Sequence, residues 1–300
     1  MVKPYLLIAN PVAGRGRARK LIDPLRREVT ARLGEGEVVL TQFRGHACQL
    51  ARQAKHSGRL VIAAGGDGTI HEVVNGLVGG NCRLAIIPIG SGNDFVKMLN
   101  LPLRYQEAVK IIQAHRTCRV DVGRVNNLFF PNGLGVGFDA MVVKQVERIR
   151  WLKGFPLYLL GVLRTLVSYR NRRIRLIWED GRQEERCIFL LAVGNGRAMG
   201  GGFYLTPKAS LSDGLLDVCV IRSLSRREAL INLPRALNGS LAELPQVSMA
   251  QVRRLRICSE QGVPVHADGE LVGLSLQELD IEVLPAALEV VHNLHGQEKA

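Results

Sequence analysis

The pattern of apolar and polar positions changes character once along this chain. Up to about residue 120, short apolar runs alternate with stretches whose apolar residues recur at helical spacing. Tyr5–Ala9 reads as a first strand. It leads through Asn10-Pro11-Val12-Ala13-Gly14 into a basic helix, broken or restarted near Asp23-Pro24. Strand Val38–Thr41 precedes a helix from about His46 to Lys55. Strand Leu60–Ala64 runs into Gly65-Gly66-Asp67-Gly68-Thr69 and a helix over 70–77. Strand Leu84–Ile89 leads through Gly90-Ser91-Gly92 to a helix over Asn93–Leu99, halted by Pro102. Repeated strand–helix units predict a parallel sheet with helices on both faces. The loops that follow its strands lie at the carboxyl edge, where ligands of such sheets gather.

Past Asp121 the period shortens to that of strands. Val120–Val125, Leu128–Phe130, Arg173–Trp178, Cys187–Val193, Leu215–Ile221, Val252–Ile257, Val263–Ala267, Leu279–Val283 and Leu288–His292 all read as strands, with a hairpin turn at Asp180-Gly181. Helices fall near 141–168 and 225–237. This half predicts a mainly antiparallel β-sandwich. The expected division is an α/β nucleotide-binding domain over 1–124, a β-sandwich over 125–295 and a frayed tail over 296–300.

Composition agrees with two globular domains: 300 residues, 47% of them hydrophobic. Charge narrows the partners. Lys and Arg number 40 against 27 Asp and Glu, a net +13 that favours an anionic partner or simply aids solubility. Aromatics at 5% do not interleave with basic residues, which argues against a nucleic-acid stacking platform. Cys48, Cys82, Cys118, Cys187, Cys219 and Cys258 include no CxxC pair, and they fit inert thiols in a reducing cytoplasm. The apolar start is too short for a signal peptide, and Phe155–Val167 is too short to span a bilayer.

The candidate chemistry lies in the turns. Gly65–Thr69 joins a strand to a helix, so glycine backbone and free helix N–H groups can cradle phosphate. Asp67 would repel that phosphate unless a cation lay between; it is either a magnesium-linked acid or a helix cap. Arg15, Arg17 and Arg19 either neutralise phosphate or form a solvated helix start. Ser210-Leu211-Ser212-Asp213-Gly214-Leu215-Leu216-Asp217 offers oxygen ligands for a hard cation, or is a plain Asp-Gly turn. His266-Ala267-Asp268-Gly269-Glu270 is another acidic turn, whose glutamate suits deprotonation of a hydroxyl. His71-Glu72 is not followed by the second histidine of a zinc motif, since Asn75 stands there.

In order, Asn10-Pro11-x-x-Gly14, Thr41 with Gly45-His46-Ala47, Gly65–Thr69 with Glu72 and Asn75-Gly76, and Pro88-x-Gly90-Ser91-Gly92-Asn93-Asp94-Phe95 resemble the diacylglycerol kinase catalytic family, in its bacterial soluble lipid kinase branch. Gly135-Val136-Gly137-Phe138-Asp139-Ala140, Asp213–Asp217 and Asp268-Gly269-Glu270 extend the match over nearly the whole chain. The resemblance implies an active site between the two domains. It implies ATP held by Asn10, Pro11, Val12, Ala13, Gly14, Thr41, Gly65, Gly66, Asp67, Gly68, Thr69, Ile70, His71 and Ser91. It further implies Asp67 acting with a catalytic Mg²⁺, Glu270 as general base on a lipid hydroxyl, and a second magnesium on Asp213 and the backbone of Ser210 and Leu215. Ser91 stands where the family usually has Thr, and His71 where Asn is common.

The reading is an ATP-dependent lipid kinase, cytoplasmic and peripheral on the inner face of the membrane, with a diacylglycerol-like substrate and no nucleic-acid partner; a homodimer stays open. Arg148–Lys153, Phe155–Val167 and Arg170–Arg173 either meet anionic lipid or pack internally. The alternatives are a small-molecule kinase of the NAD-kinase type and a non-catalytic nucleotide binder at a membrane surface.

Overall fold

The computed structural model describes residues 3–14, 16–149, 152 and 154–293. The chain divides into two compact units. One holds the residues up to Val120 and those from Ala286 onward; the other runs from Asp121 to Pro285. The expected cut at 124/125 lacks this C-terminal return.

The first unit is a parallel sheet. Strands β1 (Tyr5–Ala9), β2 (Glu37–Leu40), β3 (Leu60–Gly65) and β4 (Arg83–Pro88) lie in the order β2-β1-β3-β4. The end of the last strand, β13 (Glu270–Val291), adds beside β4 through Glu289 and Val290. Helix α1 (Ala18–Leu33) is continuous through Pro24, not broken there. Proline forfeits one backbone bond, but Leu25 and Val29 are fully buried on one face and hold the helix down. Helices α2 (His46–Ala54), α3 (Asp67–Leu77) and α4 (Asp94–Met98) follow their strands as the pattern predicts. Helix α5 (Tyr105–Gln113) was not foreseen, although buried Ala108, Val109 and Ile112 mark its inner face.

The second unit is mainly antiparallel. Its strands are β5 (Thr117–Val125), β6 (Leu128–Phe130), β7 (Gly133–Gly137), β8 (Arg172–Trp178), β9 (Gln183–Gly194), β10 (Leu216–Arg222), β11 (Val247–Val252) and β12 (Arg254–Ala267), with the first part of β13. Strand β5 begins in the first unit and β13 ends there. Strands β7 and β11 are additions to the sequence reading. Where that reading has separate strands, β12 and β13 run on as long paired ribbons with register shifts. Alternate residues feed different cores. On β9 and β10, Leu191, Val193, Val218 and Val220 enter the sandwich interior. Leu190, Ala192, Cys219 and Ile221 face a second core beneath helices α6 (Phe138–Arg148), α7 (Gly154–Ser168) and α8 (Arg226–Asn238). A two-residue side-chain period supplies both cores from one pair of strands.

Candidate active site

In the first unit the strand order sets Thr41, Asn10, Gly65 and Gly90 side by side at the carboxyl edge. Amides just past the strands extend the ladder: Thr41 N donates to Ala9 O at 2.9 Å, Asn10 N to Ala64 O at 2.9 Å and Ile89 N to Gly65 O at 2.8 Å. Asn10 then locks its own loop. Its Oδ1 accepts from Val12 N at 3.0 Å, and its Nδ2 donates to Thr69 Oγ1 at 2.9 Å. Gly14 has φ +57°, and a Cβ there would lie 2.6 Å from Ile89 O. Gly66 and Gly90 pack backbone to backbone; a Cβ on Gly90 would overlap Gly66 Cα. Side-chain-free backbone therefore lines the edge where α3 begins and its N-terminal dipole points.

Carboxylates hold these loops together. Asp67 Oδ2 accepts from Asn93 N at 2.8 Å and Oδ1 from Asp94 N at 3.0 Å, so the GGDGT turn grips the start of α4. Glu72 accepts from Gly45 N at 2.7 Å and Ala47 N at 3.1 Å, and so caps α2. Asn93 Oδ1 is buried without a hydrogen-bond partner beside Gly90. Such an orphan acceptor, within a glycine-lined edge, fits a site that binds a polar ligand. Ser91 and Val12 are exposed, and His71 is buried one turn into α3, with Asn75 Nδ2 donating to its carbonyl at 2.9 Å. Arg15, the expected phosphate neighbour, lies outside the described residues; Arg17 Nε donates to Gly14 O at 3.4 Å.

In the second unit Asp268 and Gly269 form a two-residue hairpin turn between Ala267 and Glu270, with φ of 51° and 82°. Positive φ at both central residues is the type I′ signature, and it suits the twist of the flanking strands. Asp268 Oδ1 accepts from Asn132 N at 3.0 Å and Gly133 N at 2.9 Å. From Asn132 a chain of bonds runs on. Asn195 N donates to Asn132 O at 3.0 Å, Asn195 Nδ2 to Asp121 O at 2.8 Å, and Gly214 N to Asp121 Oδ2 at 2.7 Å. The Glu270 hairpin and the Ser210–Leu215 turn are thus joined through buried Asp121, Asn132 and Asn195. Sequence reasoning gave none of the three a role, because they act through contacts with residues remote in sequence.

Asp213 is exposed, and its Oδ1 accepts from Leu215 N at 3.1 Å. Burial holds the Asp217 carboxyl above its usual range, and the Asp213 charge adds to this. Among the described residues no cluster of three or more His, Cys, Asp or Glu could hold a metal. One carboxylate with neighbouring backbone oxygens is a donor set that suits a hard cation.

Beneath α6, α7 and α8 lies an apolar cavity of about 110 Å³. Phe138, Val142, Val162, Leu166, Phe189 and Leu233 line it, and Asp139, His266 and Gly269 meet it on the hairpin side. Phe138 and Phe189 stack at 4.3 Å. The Asp139 charge and burial act on neighbouring groups: burial first, then Asp139, pushes the Cys219 thiol up to about 12 and raises the Tyr169 phenol. No described helix is long and apolar enough to cross a membrane.

Comparison with known proteins agrees with both units. Residues 4–125 match the diacylglycerol kinase catalytic domain, and residues 133–292 match the YegS C-terminal NAD kinase beta sandwich-like domain. A diacylglycerol kinase of Mycobacterium tuberculosis is 30% identical over 301 residues, covering 96% of this chain and 95% of that one. A Chromohalobacter salexigens protein named "Probable lipid kinase YegS-like" is 36% identical over 262 residues, 81% of each chain. The solved structure of a diacylglycerol kinase from Bacillus anthracis str. Sterne superposes with TM-score 0.75 at 25% identity, covering 97% of both chains. An NAD kinase from Archaeoglobus fulgidus shares the fold alone, with TM-score 0.55 at 16% identity. The chain belongs to the diacylglycerol kinase catalytic family, in the branch that carries the YegS-type C-terminal sandwich.

Proposed function

We propose that this protein is a kinase that transfers the γ-phosphate of ATP to the hydroxyl of a membrane lipid of diacylglycerol type. The observation that carries the acceptor class is the cavity beside the Glu270 hairpin. Its predominantly aromatic and aliphatic lining suits an acyl chain, and Asp139 and His266 are among its few polar groups. An NAD-kinase acceptor is a polar dinucleotide, which this lining does not favour.

A lipid hydroxyl is a weak nucleophile, so a placed carboxylate that takes its proton during attack speeds the reaction. Glu270 has that role, held at the end of a tied I′ hairpin. Phosphoryl transfer is otherwise positioning and neutralisation of charge. The amides of the Asn10–Gly14 and Gly65–His71 segments, with Thr41 and Ser91, orient the nucleotide. Asp67 fixes the loop at Asn93 and Asp94. Asp67 in the first unit, and Asp213 with the backbone of Ser210 and Leu215 in the second, are the residues that would hold magnesium, which would supply charge neutralisation.

The membrane is met from the second unit. Leu163 and Val167 of α7 and Leu230 and Ile231 of α8 are exposed apolar residues, among exposed Arg164, Arg170, Arg226 and Arg227. Exposed apolar side chains with arginines near them in sequence suit an anionic bilayer surface and a peripheral location on the inner leaflet. Trp151, Arg150 and Lys153, expected to share that contact, lie outside the described residues; so does the tail over 296–300.

The test is ATP consumption measured in parallel with diacylglycerol micelles, with NAD and with no acceptor. The lipid kinase reading expects turnover with the lipid alone. Equal turnover with NAD, or with no acceptor, overturns it.

A further inference from the structure

His266 stands near the end of β12, almost fully buried, and both its ring nitrogens are engaged. Gly269 N donates to Nδ1 at 3.3 Å. Nδ1 must then be the unprotonated nitrogen, and Nε2 carries the hydrogen. Nε2 lies 3.3 Å from Asp139 Oδ2, the acceptor that this tautomer requires. Asp139 is itself anchored in the first turn of α6, where its Oδ1 accepts from Ala140 N at 2.9 Å.

The sequence makes room for this pair at one position. Gly135 of β7 is the cross-strand neighbour of His266. A Cβ on Gly135 would overlap both Asp139 Oδ2 and His266 Nε2. Any larger residue there separates carboxylate from imidazole. The groups facing the pair are Tyr158 of α7, whose hydroxyl lies 3.5 Å from a Cβ built on Gly269, and Tyr169 and Cys219, both of which feel the Asp139 charge; Arg172 in turn faces Tyr169. Asp268 and Glu270 complete the set on the hairpin itself.

We propose that Asp139 and His266 are positioning residues that set the aim of Glu270. The relay runs from α6 through the imidazole to the amide of Gly269, the residue just before Glu270. It is a second hold on the I′ turn, besides the Asp268 contacts. The imidazole accepts the Gly269 hydrogen through Nδ1. The proposal rests on the lipid kinase reading for its catalytic consequence but not for its geometry.

The experiment therefore has two arms, on the full-length protein and on His266→Ala, His266→Gln and Gly135→Ala. In the first arm, nitrogen-15 NMR of the imidazole and of the Gly269 amide is recorded. The expected wild-type pattern is a hydrogen on Nε2 and none on Nδ1, with the Gly269 amide shifted in His266→Ala. A hydrogen on Nδ1, or a Gly269 amide indifferent to loss of the imidazole, overturns the proposal whether or not the protein phosphorylates lipid. In the second arm, kcat and KM for lipid phosphorylation are measured. His266→Ala and Gly135→Ala are expected to lower kcat by about 10- to 100-fold, the cost of a misplaced catalytic group, with the KM for ATP within about twofold. Glutamine both accepts and donates, so His266→Gln is expected to recover most of the rate. If His266→Gln is as slow as His266→Ala, or if the KM for ATP rises along with the loss of kcat, the positioning role is wrong. If wild-type protein phosphorylates no lipid, the kinase reading fails and the NMR arm alone decides the relay.

Discussion

The turn at Gly65–Thr69 and the hairpin at Ala267–Glu270 are both glycine turns gripped by carboxylates, yet each opens on a different environment. Asp67 holds the amides of Asn93 and Asp94; Asp268 holds those of Asn132 and Gly133. The first turn starts a helix, among other glycine loops at a parallel sheet edge. That edge offers N–H groups and a positive dipole end, the chemistry of phosphate binding. The second turn joins two antiparallel strands, and its Gly269 meets an apolar cavity together with Asp139 and His266. One loop-fixing device thus stands in two chemical settings; the surrounding elements make the difference.

The sharpest way to break that contrast is to close one site without touching the other. Gly90→Ala forces a Cβ into Gly66, and overpacking of this kind costs roughly 1–3 kcal/mol. ATP affinity by calorimetry is expected to fall about 10- to 100-fold; a change under twofold would mean that the two glycines do not shape the nucleotide site. Val162→Trp fills the apolar cavity instead. The KM for lipid is expected to rise about 10-fold with the KM for ATP unmoved, and a parallel rise in both would show that the cavity is not dedicated to the acceptor. Magnesium comes next in size. Added Mg²⁺ is expected to raise the thermal midpoint by about 2–4 °C, the shift that 1 kcal/mol of binding brings at this size, and by less in Asp213→Ala. An equal rise in both proteins removes Asp213 from the ligand set. The smallest effect belongs to the cavity's helical cover. Ser225 and Glu228 form a reciprocal capping box at the start of α8, so Ser225→Ala is expected to cost about 1 kcal/mol in urea denaturation. No loss would mean that packing alone fixes α8.

Much of the first unit was legible because each strand–helix junction carries its own local signal: an apolar run, glycine, then helical spacing. The helix over Tyr105–Gln113 escaped because no strand of the expected kind precedes it. In the second unit the Asp-Gly turns were legible, while β7 was not. Gly133-Leu134-Gly135-Val136-Gly137 reads as a loop by composition. It forms a strand because β9 and β12 flank it and because Gly135 must leave space for Asp139 and His266. Asp67 shows where residue-by-residue reading stops. Charge repulsion suggests a cation beside it, whereas its bonds to Asn93 and Asp94 join loops after different strands and leave no mark in local pattern. The same holds for the chain from Asp121 through Asn195 and Asn132 to Asp268. Hairpin registers and sheet order create these contacts, and spacing along the sequence does not encode them.

The central claim is that a carboxylate on the second unit's hairpin takes a proton from a lipid alcohol. The direct measurement is transfer of radiolabelled γ-phosphate to diacylglycerol by wild-type protein and Glu270→Gln, with ATP affinity measured on the same samples. The expected result is transfer by wild type, a loss of about 10²- to 10⁴-fold in the variant, and ATP affinity preserved within about twofold. A variant that phosphorylates diacylglycerol at close to the wild-type rate contradicts the claim.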